Sequence, residues 1–296
     1  MLLALVSLLF GCDSGGPYAR KGGVWRFGKE AMDVPRGEQV TPLNARFARS
    51  ATRAWYRSSP IPDADAATFA VLDEHYARDS AHAWYAETYR DDQDYYLTQH
   101  VRIRRVDGAD PGPLKVLADG YAVDGTHAFF EGVGFQVADA ATFEPLDGGF
   151  ARDRAHGYYR RQAIPGSEGA GFKVLGHNFA RDSGSVFWAG MGSAGSPRVG
   201  RLAGADAGTF EGLEYDYGKD ARRAYFQDAA LKTDVSTFQV LDYGYAKSSQ
   251  AVFYYGAPVT GADPGSFEIL KPPTDSASAS DRHGLYQEGR RVTSQR

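Results

Sequence analysis

The stretch Thr142–Tyr159, with the sequence TFEPLDGGFARDRAHGYY, contains the pattern that the rest of the chain repeats. It consists of Thr-Phe-x-x-Leu, an aromatic residue followed by Ala-Arg-Asp, and a pair of aromatic residues. The aromatic residue before the alanine is the marker of each unit, and markers commonly lie about 29 residues apart. Units begin near residues 18, 47, 76, 121, 150, 179, 217, 245 and 278. A fixed period of this length is typical of repeat proteins.

Within a unit, each position predicts a local structure. The aspartate of the motif, Asp153 in this stretch, is of a residue type that accepts hydrogen bonds from backbone amides two residues on, which favours a tight turn. The following pair, Tyr158-Tyr159, is typical of a returning strand, so each unit is predicted to contain a hairpin of two or three short strands. The alanine after the marker indicates close approach of a neighbouring backbone, and Phe143 and Leu146 are predicted to enter the core.

Composition favours the same fold class. The chain has 296 residues, of which 43% are hydrophobic, so it can bury a sizeable core. Its 18 Tyr, 17 Phe and 35 Gly favour short strands joined by turns. Because bulky groups on both faces of a strand must be covered, single units need stacked neighbours. We therefore predict an all-β fold of tandem β-hairpin repeats of about 29 residues, stacked as a solenoid or superhelix. A propeller-like closed array is the alternative, although a four-stranded blade needs about 40 to 45 residues.

The repeated elements resemble those of a known bacterial family. Tyr-Ala-Lys/Arg-Asp, Val/Ala-aromatic-Tyr and Asp-x-x-Thr-Phe-x-x-Leu are similar to the repeats of the DKNYY family, and the resemblance extends from about Tyr18 to Val292. It implies a repeat protein, often with an export signal. It implies no particular activity, ligand or catalytic residue.

The N-terminus resembles a bacterial lipoprotein signal. Residues 1–10 are apolar except for Ser7, but this run is about half of the ~20 residues that a membrane-spanning helix needs. Leu9-Phe10-Gly11-Cys12 resembles a lipobox, in which the cysteine is lipidated and becomes the mature N-terminus. A free thiol buried on a core strand is the alternative for Cys12. This resemblance implies a signal peptide at 1–11 and a lipidated cysteine and tether at 12–17. The repeats predict one β-repeat domain at 18–292, which leaves a tail at 293–296.

Charge and location narrow the expected partners. The net charge of −4 and the isoelectric point near 6.0 disfavour nucleic acid as a partner. We expect an exported protein of the bacterial cell envelope, facing the periplasm or the cell surface, held at the membrane by a lipid on Cys12. Its expected role is binding or structural, with an envelope protein or glycan as partner. The alternative is an envelope enzyme that acts on glycan or peptide through carboxylates in the insertions.

The sequence contains no strong catalytic or metal-binding motif. His82, His127 and His156 recur at one offset, but polar turn residues explain them better than a metal ladder does. The recurring aspartates lack the glycine-rich surroundings of a calcium-binding β-roll. Gly190–Gly195 matches G-x-G-x-x-G without the following helix that a dinucleotide site requires. We therefore predict no catalytic residue, no cofactor and no metal site.

Candidate ligand-binding residues lie where the regular pattern is interrupted. Insertions fall at about residues 90–112 and 190–204. Trp25, Tyr95 and Tyr96 lie outside the regular aromatic positions and are candidates for exposed rings that stack on a sugar. His100, Arg102 and Arg104 alternate, so they share one strand face. That face is predicted to form either a small anionic-ligand site or a charged edge that discourages aggregation.

Overall fold

A computed structural model of the chain describes residues 16–92, 96–192, 195–274 and 276–292. These residues form nine small antiparallel sheets in tandem and contain no α-helix, which confirms the predicted all-β repeat. Single 3-10 turns occur at Ala140–Thr142, Asp147–Gly149, Gly169–Gly171 and Val235–Thr237. In the described part of the chain, no helix has the length and apolar character needed to cross a membrane. The chain divides into two compact units, Met1–Val116 and Leu117–Arg296.

The first unit contains three sheets and one further strand. Sheet 1 has β1 (Tyr18–Lys21), β2 (Val24–Phe27) and β3 (Glu30–Ala31). Sheet 2 has β4 (Thr41–Pro42), β5 (Phe47–Arg49), β6 (Ala54–Tyr56) and β7 (Ser59–Pro60). Sheet 3 has β8 (Ala70–Val71), β9 (Tyr76–Arg78), β10 (Ala83–Tyr89) and β11 (His100–Arg105). The unit ends with the short strand β12 (Lys115–Val116).

The second unit contains the remaining sheets. It begins with β13 (Tyr121–Val123), β14 (Ala128–Phe130) and β15 (Val133–Phe135) of sheet 4. Sheet 5 has β16 (Glu144–Pro145), β17 (Phe150–Arg152), β18 (Gly157–Tyr159) and β19 (Gln162–Ala163). Sheet 6 has β20 (Lys173–Gly176), β21 (Phe179–Arg181), β22 (Val186–Met191) and β23 (Pro197–Arg201). Sheet 7 has β24 (Glu211–Gly212), β25 (Tyr217–Lys219), β26 (Ala224–Phe226) and β27 (Ala229–Ala230). Sheet 8 has β28 (Gln239–Val240), β29 (Tyr245–Lys247), β30 (Val252–Tyr254) and β31 (Ala257–Pro258). Sheet 9 has β32 (Glu268–Thr274), β33 (Ala277–Asp281), β34 (Gly284–Gln287) and β35 (Arg290–Arg291).

Sheet 5 shows how the motif folds. Its strands pair in chain order, with Pro145 opposite Ala151, Ala151 opposite Tyr158, and Tyr158 opposite Ala163. The unit therefore has four strands rather than the predicted two or three. The Thr-Phe-x-x-Leu segment supplies the first strand of the sheet that contains the next marker. Four strands fit into one repeat because each has only two or three residues.

The core lies between consecutive sheets and is mainly aromatic. Phe143, which precedes β16, lies between sheets 4 and 5, with its ring centroid 5.4 Å from that of Tyr121 and 5.7 Å from that of Tyr158. Five other linkers have a corresponding phenylalanine that is also buried: Phe69, Phe172, Phe210, Phe238 and Phe267. Since each such ring removes about 150 to 250 Å² from water, packing between sheets is the main stabilising contribution.

The recurring aspartate connects two segments of each repeat. As predicted, one oxygen of Asp153 accepts the amides of Ala155 (2.8 Å) and His156 (2.7 Å) across the turn. Its other oxygen accepts the amide of Asp139 (2.9 Å), in the linker that enters the sheet, and the hydroxyl of Tyr158 (2.6 Å). The second oxygens of Asp79, Asp182, Asp220 and Asp281 likewise accept the amides of Asp65, Glu168, Asp206 and Asp263, respectively.

These contacts set the protonation of the buried carboxyl. Burial alone would raise the pKa of Asp153, but the hydrogen bonds from Tyr158, His156 and Asp139 outweigh it and hold the pKa below its usual value. The pKa of Asp220 is lowered in the same way. Burial, followed by the hydrogen bond to Asp220, raises the pKa of the Tyr225 hydroxyl to about 12. Asp153 and Asp220 are therefore ionised at neutral pH.

Candidate functional site

The first insertion lengthens the hairpin of sheet 3. Strands β10 and β11 pair with Tyr85 opposite Arg104, Glu87 opposite Arg102, and Tyr89 opposite His100. Because side chains alternate along a strand, these six residues share one face. We call it the hairpin face. The opposite face packs into the core of the first unit through Trp84, Ala86, Val101 and Ile103.

On the hairpin face, two arginine side chains are bonded to a glutamate and stacked on tyrosine rings. Glu87 Oε1 accepts hydrogen bonds from Arg102 Nη1 at 3.1 Å and from Arg104 Nη2 at 2.9 Å. The Arg102 guanidinium carbon lies 4.1 Å from the centre of the Tyr89 ring, and that of Arg104 lies 5.7 Å from the Tyr85 ring. A stacked arginine held by a carboxylate is restricted in orientation, so it loses little further freedom when a ligand binds.

The two arginines outnumber the carboxylate that holds them. The Glu87 side chain is 19% exposed, whereas Arg102 is 47% exposed. Each guanidinium has five N–H donors, and Glu87 occupies only part of them. The imidazole of His100 lies at the end of the same row, with Nε2 4.0 Å from Asp91 Oδ1. The hairpin face can therefore present fixed, positively charged donors to a carboxylate or phosphate.

The other predicted ligand residues lie in different places. Trp25 is half-buried on β2 beside Tyr18 and Met32, and its indole nitrogen is buried with no hydrogen-bond partner among the described residues. Tyr96 is 59% exposed at the end of the β10–β11 hairpin, where its carbonyl accepts a hydrogen bond from Arg90. The structure thus brings together His100, Arg102 and Arg104 but not Trp25. Tyr95 and Cys12 lie outside the described residues.

The second insertion uses the same combination of residue types, which the sequence alone did not indicate. Strands β22 and β23 pair Gly190 with Arg198. The Arg198 guanidinium lies 5.2 Å from the Trp188 ring centre, and its Nη2 donates to Asp228 Oδ1 at 2.7 Å. Asp228 belongs to the next sheet, which is why the spacing of Trp188 and Arg198 could not reveal it. Of the six glycine-motif residues at 190–195, Ser193 and Ala194 lie outside the described chain.

The recurring histidines make local contacts. His127 Nδ1 lies 3.3 Å from Asp124 and 2.8 Å from Thr126 Oγ1, and His156 Nδ1 lies 3.4 Å from the Ser167 carbonyl. Among the described residues, no group of three or more His, Cys, Asp or Glu side chains is arranged to hold a metal ion.

Comparison with known proteins identifies the repeat. The DKNYY family model matches the chain twice, over residues 89–229 and residues 150–290. Together these overlapping matches span more than half of the chain, and matches in two registers are expected of a sequence that repeats itself. Comparisons with curated proteins and with solved structures gave no match. The chain belongs to the DKNYY family.

Proposed function

We propose that this chain is a lipid-anchored binding protein of the bacterial cell envelope that holds an anionic envelope ligand on its hairpin face. The observation that carries the proposal is the pair Arg102 and Arg104, oriented by Glu87 and stacked on tyrosine rings. The lipobox-like segment ending at Cys12 supports export and anchoring. The ligand is a carboxylate- or phosphate-bearing envelope polymer or the acidic surface of an envelope protein.

The repeat provides a reason for this location of the site. A hairpin extended beyond a regular sheet exposes one of its faces while the other remains anchored in the core. Val101 and Ile103 pack against the core cluster that contains Trp84. The exposed Arg102 and the partly buried Arg104 are thereby fixed to a rigid element, as precise recognition requires.

Replacing Arg102 by alanine should weaken binding of an anionic probe at least about tenfold. Loss of a charge-assisted hydrogen bond costs about 1.5 to 3 kcal/mol, and 1.4 kcal/mol corresponds to a factor of ten. Calorimetric titration with poly-L-glutamate and with inorganic polyphosphate separates carboxylate from phosphate ligands. Arg53→Ala is the matched control, because Arg53 is also a partly exposed arginine of the first unit, ion-paired with Asp33 at 2.6 Å. Equal loss in both variants, or no binding of either polymer, would contradict the role of the hairpin face.

Replacing Cys12 by serine should release the protein from membranes. The variant has no thiol to carry acyl chains, each of which contributes about 0.8 kcal/mol per buried CH₂. After cell fractionation and a high-salt wash, the unaltered protein is expected in the membrane fraction and Cys12→Ser in the soluble fraction. Ser14→Ala, in the adjoining tether, should stay with the membranes. Complete retention of Cys12→Ser in the washed membranes would rule out the lipid anchor.

A further inference from the structure

Three tyrosines of sheets 7 and 8 occupy turn positions that disfavour aromatic side chains. Tyr215, Tyr243 and Tyr255 have φ angles of 56°, 59° and 42°. Left-handed backbone is uncommon for residues other than glycine and is enriched in Asn and Asp. In other sheets, Asp119, Gly148 and His177 occupy the position of Tyr215 and Tyr243, two residues before the marker.

Tyr215, Tyr243 and Tyr255 form a partly exposed aromatic cluster, which Tyr243 joins through its backbone amide. The rings of Tyr215 and Tyr255 are 6.2 Å apart and nearly perpendicular, and the Tyr215 hydroxyl accepts the Tyr243 amide at 3.2 Å. Tyr255 lies over the backbone of Gly244, where an added Cβ would fall 2.4 Å from its ring. Tyr243 and Tyr255 are nevertheless 41% and 47% exposed. The turns thus hold the rings of Tyr243 and Tyr255 at the surface, whereas Tyr215 is half-buried and packs against the core of sheets 7 and 8.

A groove of about 460 Å³ lies next to this cluster. Glu214 and Asp242, which line it, directly precede Tyr215 and Tyr243 in the chain. Lys271 also lines it, with its ammonium 2.6 Å from Asp242. Tyr243 is 41% exposed and follows Asp242 directly in the chain, so its backbone borders the lining of the groove. Tyr215 and Tyr243 thus adjoin residues that line the groove.

The charges of the groove do not suit a phosphate. Its lining includes the carboxylates of Glu214, Asp242 and Glu268 but only two ammonium groups. One of these, Lys247, donates to the Phe267 carbonyl at 2.7 Å, and Lys271 is paired with Asp242. Carboxylates accept hydrogen bonds from hydroxyls, whereas ring faces bind apolar C–H surface. A sugar ring has both the hydroxyl groups that carboxylates accept from and the apolar C–H surface that aromatic rings bind.

We propose that this groove binds a linear carbohydrate chain, with Tyr243 as a stacking platform and Asp242 and Glu214 as acceptors for sugar hydroxyls. The pair acid-Tyr occurs in both sheet 7 and sheet 8, which places the carboxylates of Glu214 and Asp242 along the groove as acceptors for successive sugars. The groove volume is within the range of about 300 to 1,000 Å³ that is usual for ligand sites. The site consists only of residues of the second unit, so the proposal is independent of the anchor and of the hairpin face.

The test is a substitution that improves the turn while it removes the ring. Because asparagine suits left-handed backbone, Tyr243→Asn should unfold at the same temperature as the unaltered protein or a higher one. Binding of chitotetraose, cellotetraose and maltotetraose to the full chain is measured by saturation-transfer NMR and calorimetry. At least one of them should bind, and its affinity should fall about tenfold or more in Tyr243→Asn. Asp242→Asn, which keeps the ring, should also weaken binding.

The controls separate this site from general effects on the fold. His177→Asn makes the same replacement at the equivalent turn of sheet 6, where φ is 49°, and should bind like the unaltered protein. Absence of binding by all three sugars, or unchanged affinity in both Tyr243→Asn and Asp242→Asn, would overturn the proposal. So would an equal loss in His177→Asn. Tyr243-dependent binding of a decaproline peptide without sugar binding would identify a peptide groove instead.

Discussion

Replacing Asp153 by alanine should reduce the free energy of unfolding by about 3 to 5 kcal/mol, comparable to breaking a buried ion pair. The substitution leaves the amides of Ala155, His156 and Asp139 and the Tyr158 hydroxyl without their acceptor. Each unsatisfied buried group costs about 1 to 3 kcal/mol, although such costs are not additive. Urea unfolding followed by tyrosine fluorescence measures the change.

The repeat itself supplies an intermediate variant. In sheet 8 a serine, Ser248, occupies the aspartate position and accepts the amides of Gln250 and Ala251. Asp153→Ser should therefore keep the turn contacts, lose those to the linker, and be less destabilised than Asp153→Ala. Replacement of the exposed Asp147 by alanine should change stability by no more than about 0.5 kcal/mol. Equal stability of Asp153→Ala and Asp147→Ala would show that the buried network contributes little.

The same network predicts how stability depends on pH. Because the pKa of Asp153 is lower in the folded protein than in the unfolded chain, its stabilising contribution is complete above about pH 4 and is lost as the pH falls through the folded pKa. The difference in unfolding free energy between the unaltered protein and Asp153→Ala should therefore shrink as the pH is lowered from 5 toward 2. A difference that stays constant over this range would contradict the assigned protonation state.

Replacing Gly169 by alanine should destabilise the second unit by more than about 3 kcal/mol. An added Cβ would fall 2.0 Å from the Asp153 carbonyl oxygen and 2.7 Å from the His156 nitrogen. These are backbone atoms of the turn that Asp153 holds, so they cannot rotate away as a flexible side chain would. Thermal unfolding should show a lower midpoint and an increased fraction unfolded at room temperature.

Gly184 provides the matched control for this glycine. No atom lies within 4 Å of the position of its added Cβ, and its backbone is not left-handed. Gly184→Ala should therefore leave the unfolding midpoint within a few degrees of the original. If Gly169→Ala were as stable as Gly184→Ala, the backbone at residues 153–156 would have to move easily, which would contradict the tight contact.

Sequence comparison among the repeats would not have singled out Gly169. Ala66, Ala140 and Ala207 occupy the corresponding position in other linkers, which suggests that alanine is tolerated. The difference arises from local packing at the interface of sheets 5 and 6, where Gly157 also lacks room for a Cβ against Phe172. Contacts between units depend on the particular linker and cannot be read from the shared pattern.

The parts of the fold that follow from local chemistry were predictable. The alternation of His100, Arg102 and Arg104 predicted a shared strand face, and β11 confirms it. The turn contacts of Asp153 were also predicted. Glu87 and Tyr89 were not assigned to the site, because the pairing register of the two strands decides which residues lie opposite each other. Likewise, the linker amide of Asp139 comes from a segment 14 residues away along the chain.

Tyr215 and Tyr243 occupy an unusual position in the repeat, which the regular recurrence of aromatic residues makes easy to overlook. Most aromatic residues recur at core positions, so Tyr215 and Tyr243 were not singled out. They occupy an offset where no other unit carries an aromatic ring of Phe, Tyr or Trp and where Asp119 and Gly148 are turn-forming residues, and that departure was visible in the sequence. A side chain that is unusual for its place in the repeat is therefore more informative than one that is unusual for the chain.

Both long insertions occur between the third and fourth strands of a sheet, at β10–β11 and at β22–β23. The aspartate turn and the linker contacts lie elsewhere in the repeat, so lengthening this hairpin leaves the connections between sheets intact. The two-residue turn at Glu131-Gly132, between β14 and β15, has the same position in its sheet. The turn between the third and fourth strands is therefore a position at which peptide loops of chosen sequence can be grafted without disturbing the contacts between sheets.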